Sequence, residues 1–349
     1  MDDGSISAML NQQYATGFFS GVVTVTQGVR AVFQQAVGLA NRARNVSNTI
    51  DTRFNIGSIN KTFTSIAIAQ LVEAGQLNFD APIANYLPDY PNRDAAQKIT
   101  LHYLLTHRAG LPEYMSPDYV RERSSISTLD DLVQVFASKP LLFEPGTRQE
   151  YNNSGYVLLG RLIEMVTGTP YEKYVRAHIY DPAGMLQTGF EQGRTEGVAT
   201  GYVSVGPDGL PAMSRERVPA ASGTSEMNEN TRLLDRGNPA GGGYSTVADL
   251  VAFAQGLTTG KLLGQGMTDH LLNGTFSGAE RPKHGYALRE QVVGRRRFVG
   301  NGGGAPGVNA EFRFEPNGDH TIVVLSNLSP PSATTILNHV LETLGAIDA

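Results

Sequence analysis

Ser58 and Lys61 stand three residues apart in Phe54-Asn55-Ile56-Gly57-Ser58-Ile59-Asn60-Lys61-Thr62-Phe63-Thr64, and from Phe63 to Val72 nearly every residue is small or apolar. A helix that begins at Ser58 carries Lys61 one turn further on, with both side chains on one face and within reach of each other. The first turn of a helix is electropositive and its free NH groups point outward, which disfavours an ammonium and favours an oxyanion. A desolvated Lys61 there gives up its proton more readily than a free lysine and is able to accept the proton of the Ser58 hydroxyl. The pair reads as a nucleophile and its base. The plainer reading is a serine N-cap followed by a solvated first-turn lysine.

The elements that must hold this pair follow from periodicity. A helix apolar on all sides is buried, and Gly75 is placed to end it. Before it, residues 5 to 14 read as a short helix, and Ser20–Thr26 and Ala31–Gly38 as a hairpin about Gln27-Gly28. After residue 285 the period becomes two: Tyr286 to Val299 is strand-like, Val308–Phe314 alternates, and Asn317-Gly318 turns into His320–Ser326. A meander of three antiparallel strands follows, then an amphipathic helix near Ser332–Leu344 that needs a sheet face to bury Ile336, Val340 and Leu344. Between these ends the pattern is helical, with credible caps at Thr128–Ser138, Ser154–Thr167 ending at Gly168, Pro170–Ile179 and Thr246–Leu257. Gly193–Asp235 reads as long loops able to cover a site.

The fold class expected is therefore α/β of the α+β type, an antiparallel sheet flanked by helices and built from both chain ends. Residues 1–57 with 286–349 form the sheet domain, residues 58–285 a mainly helical one, and the active site lies at their interface.

Composition narrows the chemistry. Among 349 residues there is no cysteine, which excludes disulfides, thiolate nucleophiles and cysteine metal sites. A net charge of −5 gives no global attraction to nucleic acid or to an anionic membrane. The run Arg295-Arg296-Arg297 reads as a solvated strand or turn. The histidines show no metal-binding spacing, and no G-x-S-x-G elbow occurs. No run of 18 apolar residues exists, and Met1-Asp2-Asp3-Gly4-Ser5 lacks the features of a signal peptide, so the expectation is a cytoplasmic protein or an exported one whose leader was removed.

Two further clusters lie downstream, Tyr151-Asn152-Asn153-Ser154-Gly155 and Val299-Gly300-Asn301-Gly302-Gly303-Gly304-Ala305-Pro306-Gly307. With the Ser58 segment they resemble, in order and spacing, the three signature elements of the penicillin-recognising serine hydrolases, in the branch of class C β-lactamases, DD-peptidases and related carboxylesterases. Leu104–Leu111, Phe143–Gly146 and Gly241–Leu250 resemble supporting stretches of the same branch. The resemblance implies a β-lactamase/transpeptidase-like fold and an acyl-enzyme on Ser58. Tyr151 and Lys61 would share the proton work, and the NH groups of Ser58 and Gly304 would form the oxyanion hole. Asn153 would hold the lysine and the amide of the substrate, while Gly302 and Gly303 leave the strand edge bare for substrate. No metal or cofactor is implied. The substrate expected is a small-molecule ester, β-lactam or peptide.

Asn301 departs from the pattern, because the resemblance places Lys or His there, a group that helps to bind a substrate carboxylate. Asparagine donates a hydrogen bond but carries no charge. Arg289, Arg295, Arg297 and Arg313 are the cations available to compensate. Neutral esters lose least, so the first expectation is a carboxylesterase. The alternatives are a β-lactamase, D-amino-acid peptidase or amidase, and a weakly catalytic penicillin- or peptide-binding protein. His107, in a leucine-rich turn, is expected to pack and hydrogen-bond rather than to serve a triad.

Overall fold

The protein is described from a computed structural model covering residues 3–190, 197–204, 227–229, 237–273 and 285–345. The strands used below are β1 (Gly21–Gln27), β2 (Arg30–Val37), β3 (Arg289–Val293), β4 (Arg296–Ala305), β5 (Val308–Phe314) and β6 (His320–Ser326). The helices are α1 (Asp3–Ala15), α2 (Asn60–Glu73), α3 (Ser154–Thr167), α4 (Val247–Thr258) and α5 (Ser332–Gly345).

Valine-rich alternation at the two chain ends builds one antiparallel sheet in the order β2-β1-β6-β5-β4-β3. β1 and β6 pair along their whole length, from Gly21 opposite Ser326 to Gln27 opposite His320, which ties the first strand of the chain to the last. The expected meander is one strand longer than its sequence suggests. The stretch from Tyr286 to Val299 breaks at Gly294, whose φ of 58° supplies the left-handed turn between β3 and β4. β4 then runs on through the glycines to Ala305, so the glycine run is itself strand.

Successive side chains on a strand point to opposite faces. On β6, Ile322 and Val324 join Ile6 and Leu10 of α1 and Ile336, Val340 and Leu344 of α5 in one buried cluster, while Val323 and Leu325 face a larger core. That second core contains α2, α3 and α4, where Phe63 meets Phe253 edge-on at 4.9 Å and Phe253 meets Phe312 of β5 at 5.9 Å. Each such aliphatic or aromatic side chain contributes about 1.5–3 kcal/mol by leaving water.

α2 is buried from Asn60 through Ala69, as its composition demands, and ends at Ala74 with Gly75 at φ 70°. Its start differs from expectation. Ser58 lies in a 3-10 turn, Gly57–Ile59, that leads into α2 at Asn60, and it does not cap the helix. The sharp entry uses Gly57 at φ 49°. Other boundaries match their signals: Gly168 closes α3 at φ 65°, Thr128 and Asp131 form a reciprocal cap on the helix Leu129–Ala137, and Thr246 caps α4. The segment after Pro170 is a helix from Tyr171–Val175 that widens to a π-turn over Arg176–Tyr180. Gly193–Asp235 lies mostly outside the described residues; within it, Tyr202–Ser204 pairs antiparallel with Met227–Glu229. Among the described residues no helix is long and apolar enough to cross a membrane.

Candidate active site

Packing of α3 on α2 brings Tyr151 and Asn153, just before α3, over the turn that carries Ser58. The Ser58 Oγ is 2.6 Å from the Tyr151 hydroxyl and 3.2 Å from Lys61 Nζ. Lys61, only 1% exposed, also donates to Asn153 Oδ1 at 2.7 Å and to the Ala240 carbonyl. Its ammonium nitrogen lies 4.9 Å from the centre of the Tyr151 ring and 5.5 Å from that of Tyr156. Tyr151 itself is 43% exposed, so the serine and the phenol lie where a substrate can reach them.

Burial pushes the Lys61 pKa below its ordinary value, because an ammonium there loses its hydration. Electrostatic interaction and a hydrogen bond with Tyr151 oppose the shift, as does Glu113, and Arg289 reinforces it. A neutral amine keeps two N–H groups, which Asn153 Oδ1 and the Ala240 carbonyl can take, and its lone pair is then left for the Ser58 proton. The arrangement therefore holds a lysine that remains satisfied after it loses a proton.

The Ala240 carbonyl went unforeseen. It belongs to a tight loop in which Asn238 and Gly241 exchange backbone hydrogen bonds. The loop is docked on the nucleophile turn by Gly242 N to Gly57 O and Ile56 N to Gly243 O. The signal was the glycine run Gly241–Gly243: a Cβ on Gly243 would sit 2.8 Å from the Asn60 amide.

The glycines of β4 have a similar reason. A Cβ on Gly303 would stand 2.0 Å from the Ile56 carbonyl oxygen and 2.9 Å from Ser58 N, and one on Gly57 would stand 3.1 Å from Gly304 N. The nucleophile turn thus lies directly against Gly303 and Gly304. β3 pairs with β4 only as far as Gly300, so it does not extend alongside Gly302–Gly304.

Asn301 is 4% exposed and its amide is engaged inside the protein. Its Nδ2 donates to the Ser58 carbonyl at 3.1 Å and to Thr62 Oγ1 at 3.3 Å, and its Oδ1 accepts from Gly302 N at 2.9 Å. Of the four arginines, Arg313 is buried against Glu311 at 3.1 Å and donates to the Asn301 carbonyl, and Arg297 pairs with Glu290 at 2.6 Å. Arg295 is exposed on the turn at the far end of β4. Arg289 stands opposite Gly300, half-buried. Arg296 of the basic run is held by Glu315 and His320, so the run divides between a turn and half-buried ion pairs.

His107 adopts φ 58°, is buried, and packs at a tilt against two rings, with centres 4.6 Å from that of Tyr151 and 5.2 Å from that of Tyr156. Its Nδ1 accepts from the Asn152 backbone NH at 3.2 Å, a packing and hydrogen-bonding position beside the phenol. Asn153 occupies the N-cap position of α3 without capping it. Instead its backbone NH and its Nδ2 both donate to Glu113 Oε2, at 2.9 and 3.0 Å. Glu113 also escaped the sequence reading. Among the described residues no group of three or more His, Asp or Glu is placed to hold a metal ion.

The chain as a whole has counterparts among known proteins. A Beta-lactamase family model matches residues 6–345. The Bacillus subtilis protein PbpX, named as a penicillin-binding protein, is 29% identical over 89% of this chain and 71% of its own. Esterase EstB of Burkholderia gladioli is 29% identical over 72% of this chain and 70% of its own. The crystal structure of a penicillin binding protein from Bacillus halodurans superposes with a TM-score of 0.80 at 30% identity, over 97% of this chain and 98% of that one.

Proposed function

Because the chain belongs to the beta-lactamase family of serine hydrolases, with its β-lactamase/transpeptidase-like fold, we propose that it is a carboxylesterase acting through an acyl-enzyme on Ser58. Ser58 Oγ attacks the ester carbonyl while its proton passes to the Lys61–Tyr151 pair, and the oxyanion is received by the NH groups of Ser58 and Gly304. The pair returns the proton to the departing alcohol. Water then attacks the acyl-enzyme by the reverse route and releases the acid. Lys61 and Tyr151 are coupled through Ser58 Oγ, so the proton belongs to the pair and not to one member. On this reading residues 1–57 with 286–349 form one domain, 58–285 the other, and acylation occurs at their seam.

The observation that carries the ester reading is Asn301. Where the family resemblance places Lys or His, this chain has a neutral amide already engaged with Ser58 O, Thr62 and Gly302 N. A substrate carboxylate gains nothing from it, and an uncharged ester loses nothing. EstB, a relative of comparable coverage, is named as an esterase.

One observation favours a second reading, a β-lactam or D-peptide substrate that bears a carboxylate. Arg289 acts electrostatically on Lys61, and its Nε has no hydrogen-bond partner among the described residues. The deciding experiment is hydrolysis of a short-chain nitrophenyl ester and of a chromogenic cephalosporin by the protein and by Ser58→Ala. The expected outcome is ester turnover that falls by about 10⁴-fold or more in the variant, with the cephalosporin cleaved far more slowly. Cephalosporin turnover exceeding ester turnover would move the assignment to the second reading. Stoichiometric acylation without turnover would mark a binding protein.

A further inference from the structure

Asparagine is among the strongest N-cap residues, yet Asn153 stands at the N-cap of α3 with its side chain turned away from the helix. A side chain drawn off its ordinary partner must be held elsewhere. One oxygen of Glu113 takes both the Asn153 backbone NH, at 2.9 Å, and Nδ2, at 3.0 Å, while Oδ1 on the other side of the same amide accepts from Lys61 Nζ at 2.7 Å. The carboxylate also takes the Met115 NH through its other oxygen, at 3.4 Å. An amide with the opposite orientation would aim an NH₂ at an ammonium and an oxygen at a carboxylate, so Glu113 and Lys61 together permit one orientation only. The backbone NH that Glu113 accepts is one of the free donors at the start of a 14-residue helix, where a carboxylate is favoured.

We propose that Glu113 is a positioning residue for the acylation step, one that clamps the Asn153 amide so that its oxygen holds the Lys61 amine against Ser58. The proposal deepens the assignment of Ser58 as nucleophile and rests on it. Glu113 acts on the lysine in two separable ways, through the clamp and through its charge. The charged and titratable groups facing Lys61 are Tyr151 and Tyr156 from the α3 side, Glu113, and Arg289 at the sheet edge; Tyr151 and Glu113 favour the ammonium, and Arg289 opposes it.

The two actions separate in Glu113→Ala and Glu113→Gln. A glutamine oxygen can accept both Asn153 N–H groups but brings no charge; alanine offers neither. The readout is the rate at which a fluorophosphonate probe phosphonylates Ser58 as a function of pH, a reaction in which the P–O bond to Ser58 forms, fluoride leaves and the serine proton goes to the Lys61–Tyr151 pair. Glu113→Ala is expected to label about 10- to 100-fold more slowly, the usual penalty for a misplaced catalytic group. Glu113→Gln is expected to recover most of that rate while its acid limb moves to lower pH, because removal of the anion lowers the Lys61 pKa further. A role confined to folding would lower both variants in parallel with melting temperature and leave the limb in place, and that result would overturn the proposal. So would an alanine variant that labels as fast as the parent protein. The probe does not depend on the natural acyl donor, so absence of ester turnover with labelling intact removes the esterase reading alone. Absence of labelling in the parent protein overturns both.

Discussion

Between α1, α5 and the sheet lies a cluster of aliphatic and aromatic side chains, among them Ile6, Leu10, Val23, Val25, Phe298, Ile322, Ile336 and Val340. Between α2 and the same sheet the core also contains Asn60, Lys61, Thr62, Thr64, Ser65 and Asn301, all buried. The difference is one of precision. An aliphatic side chain needs only volume and a dry neighbour, and a close substitute serves almost as well. A buried amide or amine needs a partner of the right kind at about 3 Å, or it forfeits roughly 1–3 kcal/mol. On the α2 face those partners include backbone groups from distant segments, Ala240 O for Lys61 and Pro239 O for Thr64, as well as side chains such as Asn153 for Lys61 and Tyr171 for Thr64. The apolar face has its own polar pair, Glu311 with Arg313, and it lies directly behind the glycine run: a Cβ on Gly302 would meet the Glu311 carboxylate at 2.7 Å.

If the α2 face is built to tighter tolerance, a single methyl group there should have the largest effect on activity. Gly303→Ala places a carbon where the Ile56 carbonyl oxygen already stands, which must push the nucleophile turn away from β4. The loss expected is about 10²–10³-fold in kcat, the scale of a lost oxyanion donor. Steady-state kinetics beside a melting curve test this: near-parental kcat would show that the contact at Gly303 is not what aligns Ser58.

The opposite face should give the mirror result. Ile336→Ala removes most of a fully buried side chain from the α5 cluster and should cost about 2–5 kcal/mol in denaturant unfolding, with kcat per folded molecule unchanged. A drop in kcat beyond the unfolded fraction would mean that the two faces are coupled through the sheet. The Arg313 hydrogen bond to the Asn301 carbonyl is the route by which that could happen.

The same contrast decides what was legible in the sequence. The apolar face, the helix ends at Gly75 and Gly168 and the caps at Thr128 and Thr246 all follow from side-chain periodicity and a few conformationally special residues. Ser58 and Lys61 can be paired from their spacing on one helical turn, whereas Tyr151 and Asn153 join them only through the resemblance of their segment to a family signature. Ala240 could be named by neither route, since what it contributes is a carbonyl that every residue possesses. Asn301 was recognised as unusual, but its direction was not, because a strand residue's type does not tell whether its amide meets a substrate or the backbone of Ser58. The turn at Gly294 was hidden in an uninterrupted strand-like run, and the start of α2 was placed two residues early because a 3-10 turn carries the same residue preferences as a first helical turn.

The finest test of the comparison is the cost of keeping Lys61 where it is. Its pKa in the folded protein lies below that of the unfolded chain, so in the window between the two values the unfolded state binds more protons than the folded one. Stability must therefore rise with pH across that window, by up to about 1.4 kcal/mol per pH unit from this group alone. Lys61→Met removes the titration, although it leaves Asn153 Oδ1 and Ala240 O without their donor at every pH. The difference in unfolding free energy, parent minus variant, should therefore grow as pH rises towards the unfolded lysine value, and be flat below the folded one. Denaturant titrations at several pH values measure it. Parallel curves would mean that Lys61 holds its proton as firmly in the fold as in the open chain, and the Ser58 proton would then have to pass to Tyr151 alone.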